Sequence, residues 1–166
     1  MGELKIEGIY PLAHVLILTG AKVQKVFART AAHFHQRNVD NDIDDLLTVT
    51  LDMEGGIVGS LSMGRTGAGS HPDSGAIKIH VLGSKGALEF YEPSPEVMVF
   101  HRGITIQDSM HQRIGGEYDF LLMEDFAHAI DTDGDTMLNA KASRDIAATV
   151  EAAIQSGKTG LPVDVA

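Results

Sequence analysis

The sequence predicts an α+β domain, with a mainly antiparallel open sheet of about six strands and helices packed on one face. Three observations predict it. The chain opens with an apolar helix-like segment, continues with alternating strand-like runs between Gly and Pro turns, and ends with segments whose apolar residues recur at helical spacing. Its 166 residues are enough for a single domain over positions 1–166.

The first two elements are a helix and a long strand. Pro11 is tolerated in a first helical turn, the residues after it are mostly apolar, and Gly20 is a plausible stop. Residues 23–35 then alternate in part between apolar and polar side chains, which predicts a strand. The acidic residues 38–45 interrupt that pattern.

The middle of the chain is typical of antiparallel strands. Residues 46–53 and 57–63 alternate on either side of Glu54-Gly-Gly56, and a short Gly-containing connection between such runs predicts a hairpin. Further strands are predicted at residues 76–82, 86–91 and 97–101.

The last third is predicted to hold two helices. Apolar residues recur at helical spacing over 118–130, and a second helix over 139–156 begins at the N-cap candidate Asn139 and ends before Gly157. The acidic segment 131–135 imitates the opening of a calcium loop. Its Gly134 stands at the fourth position, where a calcium loop has its glycine at the sixth, so we interpret the segment as an inter-helix turn.

Charge and composition exclude several classes of function. The net charge of −10 disfavours nucleic-acid and membrane-surface partners, because such a surface repels phosphates and anionic lipids. The absence of Cys removes disulfides and thiolate chemistry. The longest apolar stretches are far too short for a membrane span, and the start lacks the pattern of an export signal, so we expect a cytoplasmic protein.

A glycine-rich stretch over residues 64–75 is the one candidate for a phosphate cradle. A dinucleotide-binding unit needs a strand, a Gly-rich turn and then a helix, but this stretch leads to another strand-like run and contains Pro72. We therefore interpret it as a surface loop.

Several motifs follow one another in an order that resembles a known family. They are Gly8-Ile-Tyr-Pro-Leu12 with Gly20, Val23-Gln-Lys-Val-Phe-Ala28, Val81-Leu-Gly-Ser-Lys-Gly-Ala-Leu88 and the terminal helix over 147–156 with the segment 160–163. Together they resemble the C-terminal domain of the Gfo/Idh/MocA oxidoreductases, the family of glucose-fructose oxidoreductase and inositol dehydrogenase. The resemblance covers nearly the whole chain.

The resemblance implies a substrate-binding and oligomerisation domain. Members of the family pair it with an N-terminal Rossmann domain, which binds NAD or NADP and supplies the catalytic lysine. This chain resembles only the second part, so we expect no cofactor in this chain alone, a Rossmann-domain partner and a small sugar-like substrate. A fragment, a separate subunit and a stand-alone descendant all remain open.

The resemblance also implies a catalytic residue. Tyr10 matches the position at which the family places an acid/base His or Tyr beside the substrate. Two acidic positions of the family are Ile6 and Ala13 here, with Glu7 adjacent to the first.

Three further residues are candidates for substrate binding. His14 lies four residues after Tyr10, so the two side chains share a face of a helix. Arg65 and His71 belong to the glycine-rich loop, where a cation is suited to clamp a carboxylate or sugar hydroxyls.

Two alternatives are kept. The chain is either part of an oxidoreductase or a stand-alone homodimeric binding module without catalysis. In both cases we expect a homodimer through the sheet face that helices leave uncovered.

A minority hypothesis is a metal enzyme. His33 and His35 would share one face of a strand, with Asp40, Asp42 or another His as a further ligand.

Overall fold

The computed structural model describes residues 2–65, 76–91, 96–101, 110–113 and 118–166. The chain divides into two compact units, one of Met1–Ala68 with Leu138–Ala166 and the other of Gly69–Met137. The described elements are, in chain order, α1 (Glu3–Ile6), α2 (Ile9–Thr19), β1 (Val23–Ala31), α3 (Gln36–Asp40), β2 (Leu46–Met53), β3 (Val58–Gly64), β4 (Lys78–Leu82), β5 (Gly86–Tyr91), β6 (Glu96–His101), β7 (Met110–Arg113), α4 (Tyr118–Thr132), α5 (Ala140–Thr159) and β8 (Val163–Asp164).

The first unit is built on a four-stranded antiparallel sheet in the order β3-β2-β1-β8. The predicted hairpin is confirmed, since β2 and β3 pair through the turn Glu54–Gly56. Gly55 and Gly56 have φ of 74° and 75° in this turn, a region that favours glycine. Side chains of β2 alternate strictly between buried and exposed, because helices cover one face of the sheet and leave the other exposed.

Helices cover one face of this sheet, as predicted. The covered side of β1 and β2 carries buried apolar residues that form one core cluster with α2 and α5. They include Val26, Leu47, Val49 and Leu51 from the strands and Leu12, Ile146, Val150 and Ala153 from the helices. On the opposite face, Thr48 and Thr50 of β2 lie beside Ser62 and Ser60 of β3 and are exposed. That face is therefore largely polar in this unit, with Phe27 and Val58 as exposed apolar side chains on it.

Helix α5 begins as predicted and ends later than predicted. The Asn139 side chain accepts a hydrogen bond from the Ala142 N–H at 3.0 Å, which confirms the N-cap. The helix runs past Gly157 and ends at Gly160, whose φ is 69°. Gly157 has a packing role, because a Cβ there would lie 3.0 Å from Cγ2 of Thr30 on β1. The sequence alone does not distinguish a glycine that allows a helix to pack closely on a sheet from a glycine that ends a helix.

The second unit contains a four-stranded antiparallel sheet in the order β4-β5-β6-β7 and the helix α4. The segment after α4 turns at Asp133, whose φ is 52°, so it connects two helices as predicted. On α4, the large apolar side chains of Leu122, Phe126 and Ile130 are exposed.

The α+β class is confirmed, but the strands form two sheets and not the single sheet that the sequence predicted. About six strands in one sheet were expected, whereas the described residues hold eight strands in two four-stranded sheets. Among the helices of the described residues, none is both long and apolar enough to cross a membrane.

Candidate functional site

The start of α2 is formed by a close approach of two helices. Gly8 precedes α2, and a Cβ on it would lie 2.6 Å from both the carbonyl oxygen and Cδ1 of Leu4 in α1. Leu4 and Leu12 are buried in the core, which fixes the first turn of α2 against the sheet. Tyr10 lies on this turn and is 51% exposed, so its phenol is accessible to a ligand.

His14 is attached to the same turn. Its Nδ1 lies 2.8 Å from the backbone carbonyl oxygen of Tyr10. The spacing of four residues places both side chains on one face of α2, as predicted. Tyr10 and His14 therefore form one surface.

Arg65 is brought to the start of this region by two glutamates. Its guanidinium donates to both carboxylate oxygens of Glu3, with Nε 3.1 Å from Oε2 and Nη2 3.3 Å from Oε1. Its Nη2 also lies 3.5 Å from Oε1 of Glu7. Glu3 is only 8% exposed, so this forked pair is better shielded from solvent than a surface ion pair. Arg65 holds α1 and the segment before α2 to the end of β3.

A buried carboxylate organises the chain beside Arg65. Asp45 is fully buried, and its oxygens accept from the backbone N–H groups of His33 at 2.8 Å, Phe34 at 2.9 Å and His35 at 3.1 Å. The Arg65 N–H donates to the Asp45 carbonyl at 2.8 Å, and Nε2 of His35 lies 3.1 Å from the Arg65 carbonyl oxygen. Residues 33–35 and the end of β3 are thereby fixed to the start of β2.

The pKa of Asp45 reflects two opposing causes. Burial raises the pKa of its carboxyl, but hydrogen bonds to the ionised form outweigh burial and lower it below its ordinary value. The donors are the backbone N–H groups of His33, Phe34 and His35 and the side chain of Asn38. Asp45 is therefore held as a carboxylate, which is the form that binds these donors.

The same contacts overturn the strand geometry expected for a metal site. β1 ends at Ala31, so His33 and His35 are not alternate residues of a strand. The Asp45 carboxylate draws the backbone of residues 33–35 out of the sheet. The described residues contain no group of three or more His, Asp or Glu side chains placed to hold a metal ion.

Three of the four predicted site residues, Tyr10, His14 and Arg65, lie in the first unit, and Arg65 contacts the chain before α2 through Glu3 and Glu7. Glu7, which directly precedes Gly8, links Arg65 to the helix that carries Tyr10 and His14. His71 lies outside the described residues. The sequence analysis missed Glu3 and Asp45. One local feature could have pointed to Asp45, because it ends an acidic run directly before an alternating strand. No local feature points to Glu3, whose partner Arg65 is 62 residues away in the sequence.

A cavity of about 350 Å³ in the first unit is separate from these residues. Among the residues that line it are Lys22, Glu54, Arg144 and Asp145. The Nζ of Lys22 lies 3.1 Å from Oδ2 of Asp145, and its backbone N–H donates to Glu54, so the charges of this cavity are paired with one another. It carries none of the predicted site residues.

The described residues do not fit a nicotinamide dinucleotide. Such cofactors bind where parallel strands lead into helix N-termini. The strand pairs of both described sheets are antiparallel.

Solved structures share this fold. An NAD-binding oxidoreductase from Klebsiella pneumoniae is 19% identical, with a TM-score of 0.83 over 98% of this chain and 50% of that chain. Levoglucosan dehydrogenase in complex with NADH and L-sorbose is 17% identical, with a TM-score of 0.79 over 97% of this chain and 49% of that chain. Aldose-aldose oxidoreductase from Caulobacter crescentus is 17% identical, with a TM-score of 0.78 over 98% of this chain and 47% of that chain.

The chain spans about half the length of the solved structures it matches, and at these identities the likeness shows the fold alone. A comparison with curated protein sequences finds no significant match. The family assignment comes from the sequence itself. Residues 2–165 match a family model described as "Oxidoreductase family, C-terminal alpha/beta domain". The chain therefore belongs to the Gfo/Idh/MocA oxidoreductase family, as its C-terminal domain.

Proposed function

We propose that the chain is the substrate-binding and oligomerisation part of an NAD(P)-dependent sugar or polyol oxidoreductase, inactive without a cofactor-binding domain. The family match over residues 2–165 supports an oxidoreductase domain, and the solved relatives are about twice as long. One of them is named as a complex with NADH and L-sorbose. The observation that carries the proposal is the accessible Tyr10 phenol on a firmly packed helix turn.

In this proposal the exposed face of α2 contacts the sugar. The Tyr10 hydroxyl both donates and accepts hydrogen bonds, which suits an alcohol group that becomes a carbonyl during oxidation. His14 shares that face, and Arg65 acts on it indirectly. Because Glu3 and Glu7 engage its guanidinium, Arg65 is a positioning residue for the start of α2 and not a direct clamp on the substrate.

Tyr10→Phe tests the role of the phenol. We expect L-sorbose affinity, measured from NMR chemical shifts of the labelled chain, to fall about fivefold, as for the loss of one neutral hydrogen bond. The thermal midpoint should stay unchanged because the hydroxyl is exposed. Tyr91→Phe, the same change on β5, is the control. Equal L-sorbose affinity in wild type and Tyr10→Phe would refute the role of Tyr10.

We also propose a homodimer through the uncovered face of the β3-β2-β1-β8 sheet. Phe27 lies on that face, exposed and opposite Thr50. Light scattering at low micromolar concentration should give the mass of a dimer. Phe27→Glu should give a monomer, because it adds a charge to the interface, whereas Val39→Glu on α3 should leave the dimer intact. A wild-type monomer would contradict the proposal.

A stand-alone binding module without catalysis is the second candidate. It is favoured by Ile6 and Ala13 at positions where the family resemblance implies acidic residues. Reading the coding DNA in frame upstream of Met1 separates the two candidates. A strand, Gly-rich turn and helix encoded there supports the oxidoreductase, and a stop codon with a ribosome-binding site supports the module.

A further inference from the structure

The uncovered face of the β3-β2-β1-β8 sheet carries its charges toward the two ends of its strands. Three exposed pairs of β1 and β2 residues follow one another along this face, namely Lys25–Asp52, Phe27–Thr50 and Arg29–Thr48. Alternate residues of a strand share a face, so all six side chains belong to it. The middle pair is uncharged, and the pairs on either side of it therefore set the electrostatics of the face.

One end of this face is acidic. The Nζ of Lys25 lies 3.2 Å from Oδ1 of Asp164 on β8. Asp52 is exposed on the other side of Lys25. Among the residues that the structure describes, no other cation forms an ion pair with either aspartate. Two aspartates and one lysine leave this end with a net charge of −1.

The opposite end is basic. Arg29, Thr48 and Ser62 form a row across β1, β2 and β3, and all three side chains are exposed. The guanidinium of Arg29 makes no ion pair with any described residue. Because the other two residues of the row are uncharged, this end has a net charge of +1. The two ends of the face are therefore complementary to each other.

A second copy of the chain can use this complementarity in one of two limiting arrangements. Two identical faces pack through a two-fold axis that lies between the sheets. An axis along the strands would place each end of the face against the same end of the second copy, so like charges would meet. An axis across the strands, at the level of the Phe27–Thr50 pair, places each end against the opposite end. Arg29 of each copy then lies by Asp52 of the other.

We propose that two reciprocal ion pairs, each between Arg29 of one copy and Asp52 of the other, orient the homodimer with its strands antiparallel across the interface. The inference rests on the proposed homodimer and adds the orientation of the partner and the residues that select it. Arg29 gives up no ion pair within its own chain to form this contact, and Phe27 lies near the axis.

Charge reversal tests the ion pairs. Arg29→Asp and Asp52→Arg each create two like-charge contacts in the homodimer. We expect each to raise the dissociation constant of the dimer at least about tenfold, measured by sedimentation equilibrium at about 50 mM NaCl. An equimolar mixture of the two variants should dimerise within about twofold of wild type, because each contact again joins a positive and a negative side chain. Recovery in the mixture also shows that both variants are folded.

Net charge alone cannot produce this pattern. The two variants change the net charge in opposite directions, so a general charge effect would move their dissociation constants in opposite directions. Arg37→Asp is the matched control, because it makes the same charge change as Arg29→Asp at an exposed residue of α3. Its dissociation constant should stay within about twofold of wild type. The gap between wild type and either interface variant should shrink as NaCl is raised to about 500 mM.

Each other result decides against the inference. A wild-type chain that is monomeric refutes the proposed homodimer and the inference with it. A wild-type dimer that neither Arg29→Asp nor Asp52→Arg weakens overturns the inference and leaves the homodimer standing. Weakening by both variants without recovery in their mixture would show that Arg29 and Asp52 do not meet across the interface, which overturns the orientation.

Discussion

Gly8→Ala is expected to unfold the domain at a temperature roughly 5–10 °C below wild type, from about 2–3 kcal/mol of overpacking. The backbone of Gly8 has φ of −65° and ψ of −20°, which alanine adopts readily, so the cost comes from space alone. The new Cβ would lie 2.6 Å from the Leu4 carbonyl oxygen, which is backbone and cannot rotate away. α1 must then move, and Leu4 with it.

The consequence of that movement reaches the candidate site. Glu3 is the residue before Leu4 and carries the forked bond to Arg65, so we expect Gly8→Ala to weaken L-sorbose binding as well as stability. Gly2→Ala is the matched control. Its Cβ would lie an ordinary 3.4 Å from Asp44 and should change the midpoint far less. Identical melting of Gly8→Ala and wild type in calorimetry would show that α1 and α2 are not packed as described.

Asp45→Asn is expected to lower the thermal midpoint by roughly 5 °C or more, as for a buried donor left without an acceptor. The amide has nearly the same shape, but one acceptor oxygen becomes an NH₂ group that faces a backbone N–H. One side-chain oxygen of Asp45 serves His33, and the other serves Phe34 and His35, so either orientation of the amide loses at least one bond.

The effect of Asp45→Asn should depend on pH with a definite sign. The pKa of Asp45 is lower in the folded protein than its ordinary value, so ionised Asp45 stabilises the fold above the unfolded pKa, about 3.9. That stabilisation disappears as the pH falls through about 4 toward the folded pKa. In urea unfolding, wild type should exceed Asp45→Asn by a constant margin from about pH 5 to 8, and the margin should shrink below pH 4.

Asp44→Asn is the matched control for this experiment. It makes the same charge change at the neighbouring residue, which is half-buried. The three backbone N–H groups of residues 33–35 donate to Asp45 and not to Asp44. We expect a small and nearly pH-independent effect. A margin for Asp45→Asn that stays constant down to pH 3 would mean that folding does not lower the pKa of Asp45.

Short-range chemistry made much of the fold predictable. The hairpin of β2 and β3 followed from alternation on both sides of a Gly-containing turn, and the end of α2 followed from Gly20, whose φ is 64°. The N-cap of α5 followed from Asn139. The short helix α3 and the strand β7 were missed, because each is only four or five residues long and lacks a clear period.

Long-range contacts decided the rest of the candidate site. The sequence placed Arg65 in a loop as a free cation, but folding brings Glu3 to it from 62 residues away. It extended β1 to His35, but the Asp45 carboxylate captures the backbone of residues 33–35 and the strand ends at Ala31. It interpreted Gly157 as a helix stop, but Thr30 on β1 lies too close for a side chain there.

The sequence by itself determined the α+β class, the helix that carries Tyr10 and His14, and the family. These depend on periodicity, turn residues and motif order, which are properties of neighbouring residues. Only the tertiary structure showed that Arg65 pairs with Glu3 and Glu7, that Asp45 anchors residues 33–35 and that Nδ1 of His14 lies against the Tyr10 carbonyl oxygen. Those roles depend on which groups meet after the chain has folded, and on which of them must be paired once water is excluded.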